Sequence, residues 1–400
     1  MVLLKTEITD LVQRSEALLP ELIELRRNFH RFPELSFEEK KTSEKIEGML
    51  RELNVYDLET GAGGYGLIAT LKLGEGPVIG VRADMDALPI QEHSNHSWSS
   101  EIPGVMHACG HDAHMAILLG TAKLLAESAE DPALRGTVKF IFQPAEEKAD
   151  QNGETGAVKM LASGKLDRLD RVLALHMCPW LSTGEIQVHD GPSMANNDDF
   201  LLTITGSGGH AGYPQQVIDP VWISTFILQA IYSLNGRKVN PLEVGTISVG
   251  EIHAGHASNI IPQTVEIRGT IRSYTEEVRE KLIQEIERAA RMAHTLGGDY
   301  ELKIQKGEPA LVNHPEINNV IKQAADGLKI MDAPFGMGSE DFSHFTAKFP
   351  GAMFFLGCKL DKERSLHQPD FDIDEQAMAV GVRIFMTSIR EVLTDKGGVG

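Results

Sequence analysis

Short apolar runs of strand length alternate with helical stretches along the first 176 residues, and this alternation constrains the fold more than any other feature of the chain. β-like runs stand at 66–72 (GLIATLK), 78–83 (VIGVRA), 137–143 (TVKFIFQ) and 171–176 (RVLALH), separated by helical stretches such as 112–127 and 154–163. The order predicts an α/β domain with a central mixed sheet covered by helices. A helical segment over 9–52, interrupted by the Phe32-Pro33 turn signal, precedes it as scaffold. Ligands of open α/β sheets gather where strands end at their carboxyl side, which here means Asp84 to Asp86, Glu146 with Glu147, and His176.

The rhythm changes in the middle of the chain. Strand, helix, two strands, helix and strand follow at 198–206, 217–234, 243–252, 264–272, 275–295 and 299–305, which is the βαββαβ order of a ferredoxin-like unit. It lies between the Gly191-Pro192 break and Asn313-His314-Pro315, and the α/β pattern then resumes with helices at 315–328 and 374–394 flanking an apolar run at 352–356. The expected organisation is a catalytic domain built from 1–191 and 312–400, with an inserted domain at 192–311.

Bulk composition narrows the function. The 38 basic and 57 acidic residues leave a net charge of -19, which repels a phosphate backbone and argues against nucleic acid. Neither a signal peptide nor an apolar stretch of membrane-spanning length is recognisable, so no membrane association is expected. Three scattered cysteines suit a reducing compartment, and the cytoplasm is the default address.

The densest cluster of reactive side chains is His107-Ala108-Cys109-Gly110-His111-Asp112-Ala113-His114. Cys109 and His111, two positions apart, can reach one ion, and thiolate and imidazole both suit transition metals. Cys109 as a buried structural thiol is the plainer alternative. In Phe142-Gln143-Pro144-Ala145-Glu146-Glu147, Pro144 ends a strand ladder and two adjacent carboxylates follow, so that one can bind a metal while the other handles a proton. Two solvated glutamates would give the same string. Asp86, in Arg82-Ala83-Asp84-Met85-Asp86-Ala87-Leu88-Pro89, can orient a metal-binding histidine, or merely close a strand-end turn. His176 and His367 each end or follow a short segment and are weak signals alone. No GxSxG elbow, Walker loop, GxGxxG after a strand, or HExxH is found, so any metallohydrolase here must assemble its ligands from distant strand ends.

Taken together, Arg27-Asn28-Phe29-His30 with Pro33-Glu34-Leu35-Ser36, ADMDALP, MHACGHDAH, FQPAEE, LALH, GGHAGYP, NIIP with RGTIR, MGSEDFS and LHQPDFDIDE resemble the dinuclear metallohydrolases that include aminoacylase, carboxypeptidase G and dipeptidases. The nearest branch comprises hippurate hydrolase, N-acetyl-diaminopimelate deacetylase and the plant auxin-conjugate hydrolases. The resemblance implies that Cys109, His111, Glu147, His176 and His367 hold two divalent metals, manganese or zinc before cobalt or nickel, with Cys109 bridging. It implies that Glu146 is the general base for a hydroxide between the metals that attacks an amide carbonyl. The substrate class implied is an N-acyl-amino acid or related small amide. A dipeptidase acting on free amines and a non-catalytic metal or peptide-binding protein are the alternatives.

The resemblance further implies that the inserted domain closes as a lid and mediates homodimerisation. His210 would stabilise the oxyanion, often across the dimer interface, and Asn259 and Arg272 would contact the substrate's carboxylate or carbonyl. Without the resemblance, His210 reads as a turn residue and Arg272 as a surface cation. Gly212, Gln215, Ala113 and Met115 depart from the family pattern, and residues 148–156 look slightly longer than usual, departures that bear on substrate choice.

Overall fold

The computed structural model describes residues 5–362 and 364–394. These fall into two compact units, one within Met1–Gly191, Val312–Phe335 and His344–Gly400, the other within Pro192–Leu311 and Gly336–Ser343. Residues 336–343, read above as part of the catalytic domain, therefore cluster with the inserted unit. The local reason is hydrogen bonding to the carbonyls of this segment: Ala195 N donates to Gly338 O, and the Tyr274 hydroxyl donates to Gly336 O.

The larger unit opens with helices α1 (Lys5–Arg31) and α2 (Lys40–Glu52), and α1 stops next to the expected Phe32-Pro33 break. Its strands include β1 (Asp57–Ala62), β2 (Gly66–Lys72), β3 (Val78–Asp84), β4 (Thr137–Gln143), β5 (Arg171–Cys178) and β6 (Glu185–Val188). With Gly351–Gly357 and Lys329–Asp332 they form an eight-stranded sheet, in the order β1, β2, β4, β3, β5, 351–357, β6, 329–332. β3 runs parallel to both β4 and β5, and 351–357 runs parallel to β5, while β2 is antiparallel to β4. Four neighbouring strands thus end at the same edge, which brings the segments after Asp84 and Gln143 and around His176 together. The mixed sheet agrees with the expected fold class.

Helix α3 (His111–Glu127) is buried along almost its whole length, so it reads as a core helix rather than an amphipathic one. It packs with α1 and with the helix Ala377–Thr394 through Leu22, Ile117, Val382 and their neighbours. Beneath its first turn, the buried Arg26 donates to Asp112 at 2.8 Å and lies 3.0 Å from Asp372, tying the start of the chain to its end. Among the described residues, no helix is long and apolar enough to cross a membrane.

The smaller unit is a four-stranded antiparallel sheet in the order 245–254, 264–273, 198–205, 299–306. That is the ferredoxin-like arrangement the βαββαβ pattern predicts. Its helices Pro220–Arg237 and Glu276–Ala290 are capped by Asp219 and Thr275, whose side chains accept from the first-turn amides. They bury Ile223, Ile227, Leu282 and Ile286 against Leu202, Ile204 and Ile267 of the sheet.

Candidate active site

Strand β4 does not run on past Pro144. Ala145 turns into the left-handed region at φ 49°, and its amide donates to the buried Glu39 carboxyl at 2.8 Å. Behind the turn, Gly156 N donates to Ala145 O, and a Cβ on Gly156 would lie 1.6 Å from the Pro144 carbonyl oxygen, so only glycine fits there. The reversed backbone aims two successive amides at one carboxylate: Glu146 N donates to Asp86 Oδ1 at 3.1 Å and Glu147 N to Asp86 Oδ2 at 3.0 Å. Ser36 donates to the same group at 2.6 Å. Asp86 therefore holds the backbone of both glutamates, a task its strand-end position did not disclose.

The loop before α3 places Cys109 at the same sheet edge. Gly110 follows at φ 98°, letting the chain turn directly into the helix that begins with His111. His111 Nδ1 donates to the Asp86 carbonyl oxygen at 2.8 Å, with an Asp86 carboxylate oxygen at 3.4 Å, and so turns Nε2 toward Glu147 Oε1, 3.8 Å away. His176 Nδ1 donates to Met177 O, which leaves Nε2 facing Cys109 Sγ at 3.4 Å. His367 arrives from far along the chain in a left-handed conformation at φ 58°, its amide bonded to Ala108 O, with Nε2 3.3 Å from the same sulfur and 3.4 Å from Glu147 Oε1.

Two sets of three donors result, Cys109 with His111 and His176, and Cys109 with Glu147 and His367, each set gathered within 4.8 Å. Cys109 is common to both. A cation bound at usual lengths of about 2.3 Å to sulfur and 2.1 Å to nitrogen would space those atoms by roughly 3.6 Å, close to the separations found. His111 Nε2 and Glu147 Oε1 are buried and have no hydrogen-bond partner among the described residues. Orphaned buried polar atoms are rare, and here they lie within a thiolate, imidazole and carboxylate set that suits first-row divalent metals. Glu146 lies in a further group with His111 and Glu147, within reach of both sets.

Charge around the site favours a cation. Burial opposes ionisation of His111, yet Asp84, Asp86 and Glu147 raise its imidazole to about 10. Burial pushes the Cys109 thiol well up, and Glu147, Glu146 and Asp84 push it further, so the sulfur becomes a thiolate only where a positive ion compensates. Burial, with His114 adding to it, lowers His176 to about 3, which keeps that imidazole neutral and its lone pair available.

A buried pair that the sequence reading passed over supports this arrangement. His114 Nε2 accepts the Met177 amide at 2.9 Å, so its proton sits on Nδ1, which donates to Asp84 at 2.7 Å. Arg82 neutralises the other side of Asp84 at 2.7 Å. His114 thereby fixes the strand that carries His176. The third imidazole of the octet and the first aspartate of ADMDALP were the available signals.

His210, Asn259 and Arg272 belong to the smaller unit. His210 pairs with Ile260 in a short ladder, and Ala211 N donates to Asn259 O, so these two residues are neighbours. Gly212 N donates to His210 Nδ1 at 2.9 Å, which puts the proton on the exposed Nε2. Arg272 is not brought to them. It sits near the far end of 264–273, eight residues or roughly 26 Å along the strand from Thr264, which is the end near Asn259.

Comparison with known proteins accords with this geometry. A family model described as peptidase family M20/M25/M40 matches residues 80–391. The N-acetylcysteine deacetylase of Bacillus subtilis is 38% identical over 368 residues, covering 91% of this chain and 94% of the relative. Thermostable carboxypeptidase 1 of Saccharolobus solfataricus is 36% identical over 372 residues, covering 90% and 92% respectively. Among solved structures, a dinuclear metal-binding M20 peptidase from Bacillus subtilis aligns with a TM-score of 0.83 at 35% identity, covering 94% of this chain and 99% of that one. Matched in sequence and fold over most of its length, the chain belongs to peptidase family M20/M25/M40 and is a metal-dependent amidohydrolase.

Proposed function

We propose that this chain hydrolyses the amide bond of N-acyl-amino acids, releasing a carboxylic acid and an amino acid. The observation that carries the reading is the pair of donor sets sharing Cys109, with Glu146 beside them. Cys109, His111, Glu147, His176 and His367 would hold two divalent ions, manganese or zinc. Bound there, the ions supply Lewis acidity to the carbonyl and make water acidic enough to attack at neutral pH. The Glu146 carboxylate takes a proton from the attacking water and returns it to the departing amine nitrogen. Asp86 keeps that carboxylate aimed by holding its backbone amide. His210 donates a hydrogen bond from Nε2–H to the carbonyl oxygen as charge gathers on it, and Asn259 and Arg272 bind the substrate's polar ends.

The same reading makes the protein a homodimer. The helix Pro220–Arg237 exposes Trp222 and Phe226 in edge contact, along with Tyr232, which is 61% exposed. Beside it, the edge strand 245–254 has no partner on its outer side among the described residues. The distance between Arg272 and the His210 loop supports a division in which the two ends of that unit serve different active sites of a dimer. The three buried free thiols suit the cytoplasm.

Metal-free protein reloaded separately with manganese or zinc should hydrolyse N-acetyl-amino acids in a ninhydrin assay and leave dipeptides with free amines largely uncut. Glu146→Gln should keep its metal by elemental analysis while kcat falls by at least about a hundredfold. Full turnover by that variant would remove the proposed base.

A further inference from the structure

Two stretches from distant parts of the sequence carry three of the proposed ligands, and they are joined at two points. Residues 108–112 bring Cys109 and His111, and residues 367–372 bring His367. The first joint is direct: His367 N donates to Ala108 O at 2.8 Å. The second runs through α1. Arg26 Nε donates to Asp112 Oδ2 at 2.8 Å, and Arg26 Nη2 lies 3.0 Å from Asp372 Oδ1, an ion pair rather than an aligned hydrogen bond. Arg26 Nη1 donates to Glu375 at 3.2 Å, just before the helix Ala377–Thr394. His30, one turn further along α1, brings Nδ1 to 2.8 Å from the same Asp112 oxygen. Asp112 is thus fixed from α1, while Arg26 reaches on to Asp372.

Arg26 and Asp112 are fully buried. Burial opposes the charge of the guanidinium, but Asp112, Asp372 and Glu375 hold it well above its ordinary value. An apolar side chain on this face of α1, which also carries Leu22, would fill the interface at lower desolvation cost. What the guanidinium adds is direction, since its planar fork can hold carboxylates on separate segments at a fixed spacing. Cys109 and His111 stand between the two joints, and His367 stands at the first. From this closed frame the geometry points to Arg26 as a positioning residue of the metal centre, which sets the distance between the Cys109–His111 loop and the His367 segment through Asp112 and Asp372. This rests on the proposed donor sets.

The test titrates zinc into metal-free protein against a chromophoric chelator, so that binding is read without turnover. Wild type should take up two ions per chain, and His367→Ala should lose one of them. Asp372→Ala cuts only the arm that reaches the His367 segment. It should keep one ion at wild-type affinity and bind the second about tenfold more weakly, with the urea midpoint of the metal-free protein little changed. Asp372→Asn keeps the shape and an acceptor for Arg26, and should recover most of that affinity. Arg26→Lys keeps a cation without the fork and should weaken the same ion; if it fails to fold, the two Asp372 variants carry the test. His96 Nε2 also lies 3.3 Å from Asp372 Oδ2, so His96→Ala is the control and should bind both ions as wild type does. A His96→Ala that matches Asp372→Ala would assign the effect to the imidazole and overturn the role of Arg26. Wild-type affinity for both ions in Asp372→Ala would overturn it too, while leaving the donor sets standing. So would an equal fall at both ions with a lower metal-free midpoint, which marks a support of the fold alone. A His367→Ala that keeps both ions would remove the donor sets, and the positioning role with them.

Discussion

Glu39 shows how much of the chemistry at this site is set by residues that never touch substrate. Burial pushes its carboxyl up to about 8, with the charge of Asp86 adding to the effect, while the amides of Ala145 and Phe37 that it accepts pull the other way. The folded protein keeps this proton to about pH 8, whereas the unfolded chain loses it near the ordinary value of 4.5. Stability from this group is complete below pH 4.5 and is lost as pH rises through 8, at up to about 1.4 kcal/mol per pH unit. In chelator-treated protein, Glu39→Gln should therefore gain on wild type progressively between pH 4.5 and 8 in urea melts, with no further change beyond that window. Parallel curves across the range would show that Glu39 is ionised in the fold. Nothing in the string FEEK marks this residue, because its neighbours in space are 47 and 106 positions away. Asp86 was legible as a polar residue at a strand end, but its grip on two successive amides depends on the left-handed turn at Ala145, and alanine does not advertise positive φ.

Elements were the most readable level, since hydrophobic period is a local property. The long strands and helices fall close to where their patterns place them, and the four-strand order of the smaller unit follows from its βαββαβ sequence. The strands missed include three of the large sheet, Asp57–Ala62, Glu185–Val188 and Lys329–Asp332, the last of which is exposed throughout and carries no alternation to read. Nor does period reveal that β3 sits between β4 and β5, because register is decided by contacts distant in sequence. The turn between β4 and the helix Gly156–Ala162 is where element geometry governs the site most tightly. Gly156→Ala should drive the Pro144 carbonyl away and unseat Glu146 and Glu147 together, costing about 3 kcal/mol in a denaturant titration and lowering the metal retained after dialysis. An unchanged midpoint and unchanged metal content would mean that the turn relaxes without disturbing the glutamates.

At the scale of the whole molecule, the proposed dimer makes a prediction that a monomer cannot imitate. His210→Ala and Glu146→Gln should each be nearly inactive alone. Mixed in equal amounts, unfolded and refolded together, random pairing gives half heterodimers with one intact site in two, and so about a quarter of wild-type activity. A mixture as inactive as its components would place His210 in the same chain as the glutamate it assists. No local pattern could have assembled this site. His107 to His114 announced a metal at Cys109 and His111 and the strand-end argument added the two glutamates, but His176 and His367 entered as ligands only by resemblance to a known family, because nothing local links them to Cys109. The contact between Cys109 and His367 spans 258 residues of chain. A nascent polypeptide leaves the ribosome with its cysteine and first histidine long before the last ligand exists. The two side chains can meet only when synthesis is nearly finished, so a fragment that stops short of His367 would carry thiol and imidazole without the complete donor set.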